Sequence, residues 1–175
     1  DGAIAGAITG STGTVSIGST TAAITMTGGS LTVTGAVDGA VDLANMTSAK
    51  IGEVKDALTL SGTGAIEIGK LDWTKTITTT SFTGTVNLTG TDDDITGTGT
   101  ETLNGHWTIA AAVTLATGNE WTIGTSSSVT FNGNLTFTNE DTLLSTDATS
   151  KFSVAEGVTA TTAAGETKIC DNSGS

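Results

Sequence analysis

The sequence predicts an all-β chain wound as a parallel β-helix, a β-solenoid of about nine coils. Three observations carry that expectation. Threonine is the commonest residue, with 40 copies among 175, and glycine follows with 24. Short bursts alternating apolar and small polar residues recur along the whole chain. Proline is absent, whereas the alternative architecture, an antiparallel sandwich, uses it at edge strands and long connections.

Thr and Val branch at Cβ, which restricts χ1 and favours extended backbone; glycine supplies the tight bends. The first series of bursts runs Val15-Ser16-Ile17, Leu31-Thr32-Val33, Ile66-Glu67-Ile68, Val86-Asn87-Leu88, Trp107-Thr108-Ile109, Trp121-Thr122-Ile123, Leu135-Thr136-Phe137 and Phe152-Ser153-Val154. Alternation of this kind sends one side chain inward and the next outward. A second series lies between, from Ile24-Thr25-Met26 through Val41, Leu58, Ile77, Ile95, Val113, Val129 and Leu143 to Val158. Members of either series recur roughly every 17 residues, so each coil is expected to hold two strands and two turns. The inward residues then form ladders, with Trp107 and Trp121 as neighbouring stacked rungs. Only Leu43 to Asp56 offers a turn of helix, and Gly52 weakens it. The whole chain, 1–175, reads as one solenoid domain, with 1–14 as a strand available to a neighbouring subunit and 165–175 as a tail.

A formal charge of −12, with six lysines and no arginine, excludes nucleic acid and anionic membrane surfaces as partners. No apolar run reaches the ~20 residues of a membrane helix, and the aromatic girdles of an outer-membrane barrel are missing. The lone Cys170 permits no internal disulfide. Residue 1 is Asp rather than Met, which fits either removal of a leader or a fragment of a longer chain. Abundant Thr and Gly with few basic residues point to an extracellular location.

Candidate chemistry is sparse. Asp92, Asp93 and Asp94, followed by Glu101, form the densest carboxylate group and the candidate for Ca²⁺, a hard ion that takes six to eight oxygens; otherwise no cofactor is expected, and a solvated acidic turn is the expected reading of the cluster over a metal site. His106 stands beside Trp107 without the ligand partners of a transition-metal site or a Gly-x-Ser-x-Gly elbow. Carboxylate pairs such as Glu67 with Asp72 fit a glycosidase only by abundance, and no arginine is present for a lyase. The sequence therefore predicts no catalysis. Sequons occur at Asn45, Asn87 and Asn134.

In its Thr- and Gly-rich strand repeats and its missing Pro and Arg, the chain resembles the passenger regions of filamentous-haemagglutinin-like and autotransporter adhesins. That resemblance implies a surface-exposed solenoid and carries over no functional residue. Thr25-Met26-Thr27, Thr32-Val33-Thr34, Thr78-Thr79-Thr80 and Thr136-Phe137-Thr138 are similar to the Thr-x-Thr arrays of antifreeze solenoids, which implies ice binding as the second reading; a carbohydrate-binding or polysaccharide-processing β-helix is the third. The first is an extracellular structural protein, building a filament or layer with copies of itself head to tail, or serving as an adhesin segment for a cell-surface ligand. Residues 2–9 are small and uncharged, which makes Ile4, Ala5, Ala7 and Ile8 the expected contact, with Cys170 a second one.

Overall fold

Alternating side chains need a second layer to bury the apolar face, and a coil provides it by returning the chain one strand spacing further along. The computed structural model describes residues 4–91, 95–97, 100–115, 120–138, 143–147, 149–162 and 168–172. Among them the strands pair in parallel ladders and stack as a β-solenoid, and no helix occurs. The sandwich alternative is thereby set aside. So is the helical turn at Leu43 to Asp56, where the chain forms two strands. The chain divides into two compact units, Asp1–Leu88 and Thr89–Ser175.

In the first unit the strands are β1 (Ile8–Gly10), β2 (Thr14–Ile17), β3 (Ile24–Met26), β4 (Ser30–Val37), β5 (Val41–Ala44), β6 (Ser48–Val54), β7 (Leu58–Ser61), β8 (Ala65–Leu71), β9 (Ile77–Thr78) and β10 (Thr85–Leu88). Odd strands form one sheet and even strands another, each in chain order. Register fixes the coil length. One turn carries the chain 16 residues from Val15 to Leu31, 18 from Leu31 to Ala49, 17 from Ala49 to Ile66 and 20 from Ile66 to Val86, so the last of these coils is the longest. One corner is a ladder of glycines, Gly18, Gly35, Gly52 and Gly69, where β4 breaks register against β6 between Val33 and Ala36. A Cβ on Gly52 would lie 2.7 Å from the carbonyl oxygens of both Thr34 and Gly35, and one on Gly69 would overlap the Gly52 carbonyl. Only glycine lets successive coils bend there at strand spacing.

The second unit contains β11 (Ile95–Gly97), β12 (Thr100–Leu103), β13 (His106–Ile109), β14 (Val113–Leu115), β15 (Glu120–Ile123), β16 (Ser128–Phe131), β17 (Leu135–Phe137), β18 (Leu143–Asp147), β19 (Lys151–Val154), β20 (Ala160–Thr162) and β21 (Lys168–Asn172). Here each coil feeds three sheets: β13-β16-β19, β11-β14-β17-β20 and β12-β15-β18-β21. One turn runs from Trp107 to Val129, from Val129 to Phe152, or from Leu135 to Ala160, each longer than the turns of the first unit. Longer coils mean fewer of them, about seven.

The third strand also corrects the tryptophan ladder. Trp107 pairs in register with Val129, and Trp121 with Glu101 and Leu144, so the two indoles belong to different sheets. What separates them is two strands along a three-strand coil, not one whole coil. Trp121 instead stacks on Phe131, with ring centroids 6.5 Å apart at 22°, and Trp107 Nε1 donates to the Asn104 carbonyl at 2.9 Å. The inward assignment of Leu31, Val33, Ile66, Ile68, Val86, Leu88, Ile109, Ile123, Leu135 and Phe137 holds throughout: each is buried.

Candidate functional site

The outward columns of the first unit are short-chained. Thr9, Thr25, Asp42, Thr59 and Thr78 align across the odd-strand sheet, flanked by Ala23, Ala40 and Ala57 one residue before each inward position. On the even sheet, Ser16, Thr32, Lys50, Glu67 and Asn87 form one column. There Lys50 Nζ meets Glu67 at 2.8 Å with both side chains well exposed, a pairing of small net value in water. A shallow open groove of about 300 Å³ runs beside it over Ser48, Ala49 and Ala65. In the second unit the register positions Thr96, Thr114, Thr136 and Thr161 align without interruption.

The sequence-derived sites disperse. Asp92, Asp93 and Asp94 lie outside the described residues. Glu101 sits in β12 at an inward register position below Trp121, half-buried, and burial pushes its carboxyl pKa up. Among the described residues no three His, Cys, Asp or Glu side chains gather as a metal site. His106 Nδ1 lies 2.9 Å from Ser128 Oγ on the exposed face, with Lys151 as the following register position. Glu67 and Asp72 are engaged separately, Glu67 with Lys50 and Asp72 with Thr74, whose hydroxyl and N–H hold the Asp72 pKa down. Asp38 pairs with Lys55 at 3.0 Å and holds the ammonium pKa up. Asn45, Asn87 and Asn134 are all exposed. Cys170 lies in β21, in register with Ser145.

What the fold does bring together is an apolar edge at β1 and β2. The columns Val15-Leu31-Ala49 and Ile17-Val33-Ile51 are inward, yet Val15 and Ile17 are only half-buried while Leu31 and Val33 are covered completely. Ile8 is half-buried, Ala5 and Ala7 are exposed, and Ile4, at 41% exposure, is the one large hydrophobic exposed among the described residues. Ile4 is nonetheless held. It bridges Thr20 in parallel, its carbonyl accepts from the Thr20 hydroxyl at 2.7 Å and from the Thr21 N–H at 3.2 Å, and Thr20 itself is buried. Gly10 leaves room for the Met26 side chain, which a Cβ there would meet at 2.8 Å. An edge strand pairs its backbone on one side only. Residues 2–37 contain no charged side chain. The sequence marked Ile4 to Ile8 but passed over Val15, Ile17 and Thr20, because first members of a repeat look identical to buried ones.

These features define a parallel β-solenoid with an apolar edge at β1 and β2. Comparison with protein-family models, curated proteins and solved structures gives no match to this chain.

Proposed function

We propose that the chain is an extracellular structural solenoid that associates with copies of itself as part of a surface assembly, and that it performs no catalysis. The observation that carries this reading is the apolar edge of Ile4, Val15 and Ile17, which are less buried than Leu31 and Val33 beside them. Apolar surface of this kind gains free energy when a partner removes it from water, and unused backbone groups beside it favour a partner that supplies a strand. The acidic charge elsewhere opposes indiscriminate association. An adhesin segment built on the same scaffold would use its outward columns for the ligand. Sedimentation velocity on the chain over a wide concentration range tests the reading. Association that grows with concentration is expected; a monomer throughout would reject it.

Ice binding is the second reading, favoured by the aligned threonine positions on one sheet of each unit. Asp42 interrupts the first column, and coil length changes along both units. Thermal hysteresis measured at high protein concentration decides it, with a value near zero as the expected result.

A further inference from the structure

Two Asn-Gly pairs occur in the chain, Asn104-Gly105 and Asn132-Gly133. Both turn corners of the second unit, the first between β12 and β13 and the other between β16 and β17. We infer that Asn132 is a site of spontaneous deamidation, converted by its own backbone and water to aspartate and isoaspartate, and that the coil stacked on Asn104 protects it from the same reaction.

The chemistry needs no enzyme. The glycine backbone nitrogen gives its proton to hydroxide and attacks Asn Cγ. The new N–Cγ bond closes a cyclic imide as the Cγ–Nδ2 bond breaks, and Nδ2 leaves as ammonia after taking a proton from water. A second water then opens the imide. Breaking the N–Cγ bond restores an ordinary chain with aspartate; breaking the bond from nitrogen to the backbone carbonyl leaves isoaspartate, with the side-chain methylene drawn into the main chain. Glycine favours the attack because it has no side chain to hinder it.

At Asn132 the reacting atoms are accessible. Asn132 is exposed, and its corner is held by the flanks. The Asn132 N–H donates to the Ile109 carbonyl at 2.8 Å and the Leu135 N–H to the Thr159 carbonyl at 3.0 Å; Asn134 accepts at its carbonyl from the Val113 N–H at 2.7 Å and at Oδ1 from the Thr159 N–H at 3.2 Å. None of these bonds uses the Gly133 N–H. Glycine is also required there, since a Cβ would overlap the Ala111 carbonyl. Packing against the preceding coil thus keeps the least hindered nucleophile directly after Asn132.

At Asn104 the same atoms are engaged. Gly105 is buried, and its N–H donates to Ser127 Oγ, a buried residue of the following coil, at 2.9 Å. The Asn104 carbonyl accepts from Trp107 Nε1 at 2.9 Å, and its side chain lies against Gly124, where a Cβ would overlap Oδ1. Cyclisation must break the first hydrogen bond to free the nucleophile and turn the peptide that makes the second. Asn104 therefore reacts only through local opening.

Incubation of the full chain in mildly alkaline buffer, followed by peptide mapping with mass spectrometry, reads both sites in one sample. The signals are the mass gain of amide-to-acid exchange and the separation of aspartyl from isoaspartyl peptides. In the native chain Asn132 should convert faster than Asn104 by about tenfold or more, the combined weight of the two hydrogen bonds that Asn104 must break. In urea the two rates should converge, which separates the effect of the fold from that of the flanking sequence. Ser127→Ala should speed conversion at Asn104 and leave Asn132 unchanged, and the native-against-urea comparison stands whether or not that variant folds. A native rate at Asn132 no faster than at Asn104, or the same difference persisting in urea, would overturn the inference. An unchanged Asn104 rate in folded Ser127→Ala would overturn the protective role of the stacked coil.

Discussion

The two units solve one packing problem with different side chains. In the first, short turns such as Val15 to Leu31 close around Ile, Leu, Val and Met, and no aromatic residue occurs before Trp73. In the second, longer turns such as Trp107 to Val129 and Leu135 to Ala160 enclose Trp107, Trp121, Phe131 and Phe137, all buried. A longer coil has a wider cross-section, and interiors are filled to near-crystalline density, so the inward volume must rise with coil length. The corners differ in the same sense. Glycines stacked once per turn bend the small coils, while the large ones use polar side chains: Ser127 Oγ accepts from the Gly105 N–H at 2.9 Å, and Asn134 Oδ1 accepts from the Thr159 N–H at 3.2 Å. Coil length, core volume and corner chemistry thus change together.

The comparison breaks most severely if a charge enters the large core. Ile109→Asp puts an unpaired carboxylate at a fully buried position two residues from Trp107, at a cost of several kcal/mol. Loss of cooperative unfolding in urea, followed by Trp fluorescence, is the expected outcome. Next in size is Trp121→Ala, which empties the site stacked on Phe131 and should lower stability by about 3–5 kcal/mol. If Trp121→Ala were tolerated within a fraction of that, the aromatic residues would not be filling the wider coil. In the small coil the opposite change is the costly one. Gly52→Val drives side-chain atoms into the carbonyls of Thr34 and Gly35, and overpacking of this kind typically costs about 1–3 kcal/mol. The same glycine-to-valine exchange at Gly18, where a Cβ meets nothing within 4 Å, should cost far less and serves as its control in a melting experiment.

How much of this was readable beforehand follows from the same physics. Alternation was legible because a strand with one buried face must show it, and the ten positions Leu31, Val33, Ile66, Ile68, Val86, Leu88, Ile109, Ile123, Leu135 and Phe137 are all buried. Coil length was not. With three strands per coil, bursts two strands apart look the same as bursts one coil apart, so Trp107 and Trp121 imitate adjacent rungs. The glycine corner is written in the spacing of Gly18, Gly35, Gly52 and Gly69, yet becomes evident only once Gly52 is seen lying over Gly35. Of the candidate site, Ile4 and Ile8 were legible from their uncharged setting. Val15 and Ile17 were not, since exposure at a repeat's first rung leaves no mark on residue type. Outward chemistry stays illegible because exposed columns accept almost any small polar residue.

The smallest expected effect concerns Glu101, an acid at an inward register position of the large coil. Leu103, two residues on, is buried, and the next rung at this position is Trp121, so the carboxyl occupies part of a column otherwise apolar. Burial disfavours its charged form and raises its pKa in the folded state. A group whose folded pKa is raised contributes stability that is fully present below its unfolded value, about 4.3, and is lost as pH rises through the folded value. At pH 7 the ionised side chain therefore costs stability, moderated by its partial exposure to water. Glu101→Gln keeps the shape and removes the charge. It should raise the melting temperature at pH 7 by a degree or two, given about 2–4 °C per kcal/mol for a chain of this size. The difference from wild type should vanish below about pH 4. The same variant discriminates a calcium site formed with Asp92, Asp93 and Asp94. A ligand carboxylate would be stabilised by the ion, so Ca²⁺ would raise the wild-type melting temperature, chelator would lower it, and Glu101→Gln would abolish both responses. An inward carboxyl above its ordinary pKa is a poor ligand for a hydrated cation, and the expected result is a wild-type melting curve indifferent to chelator.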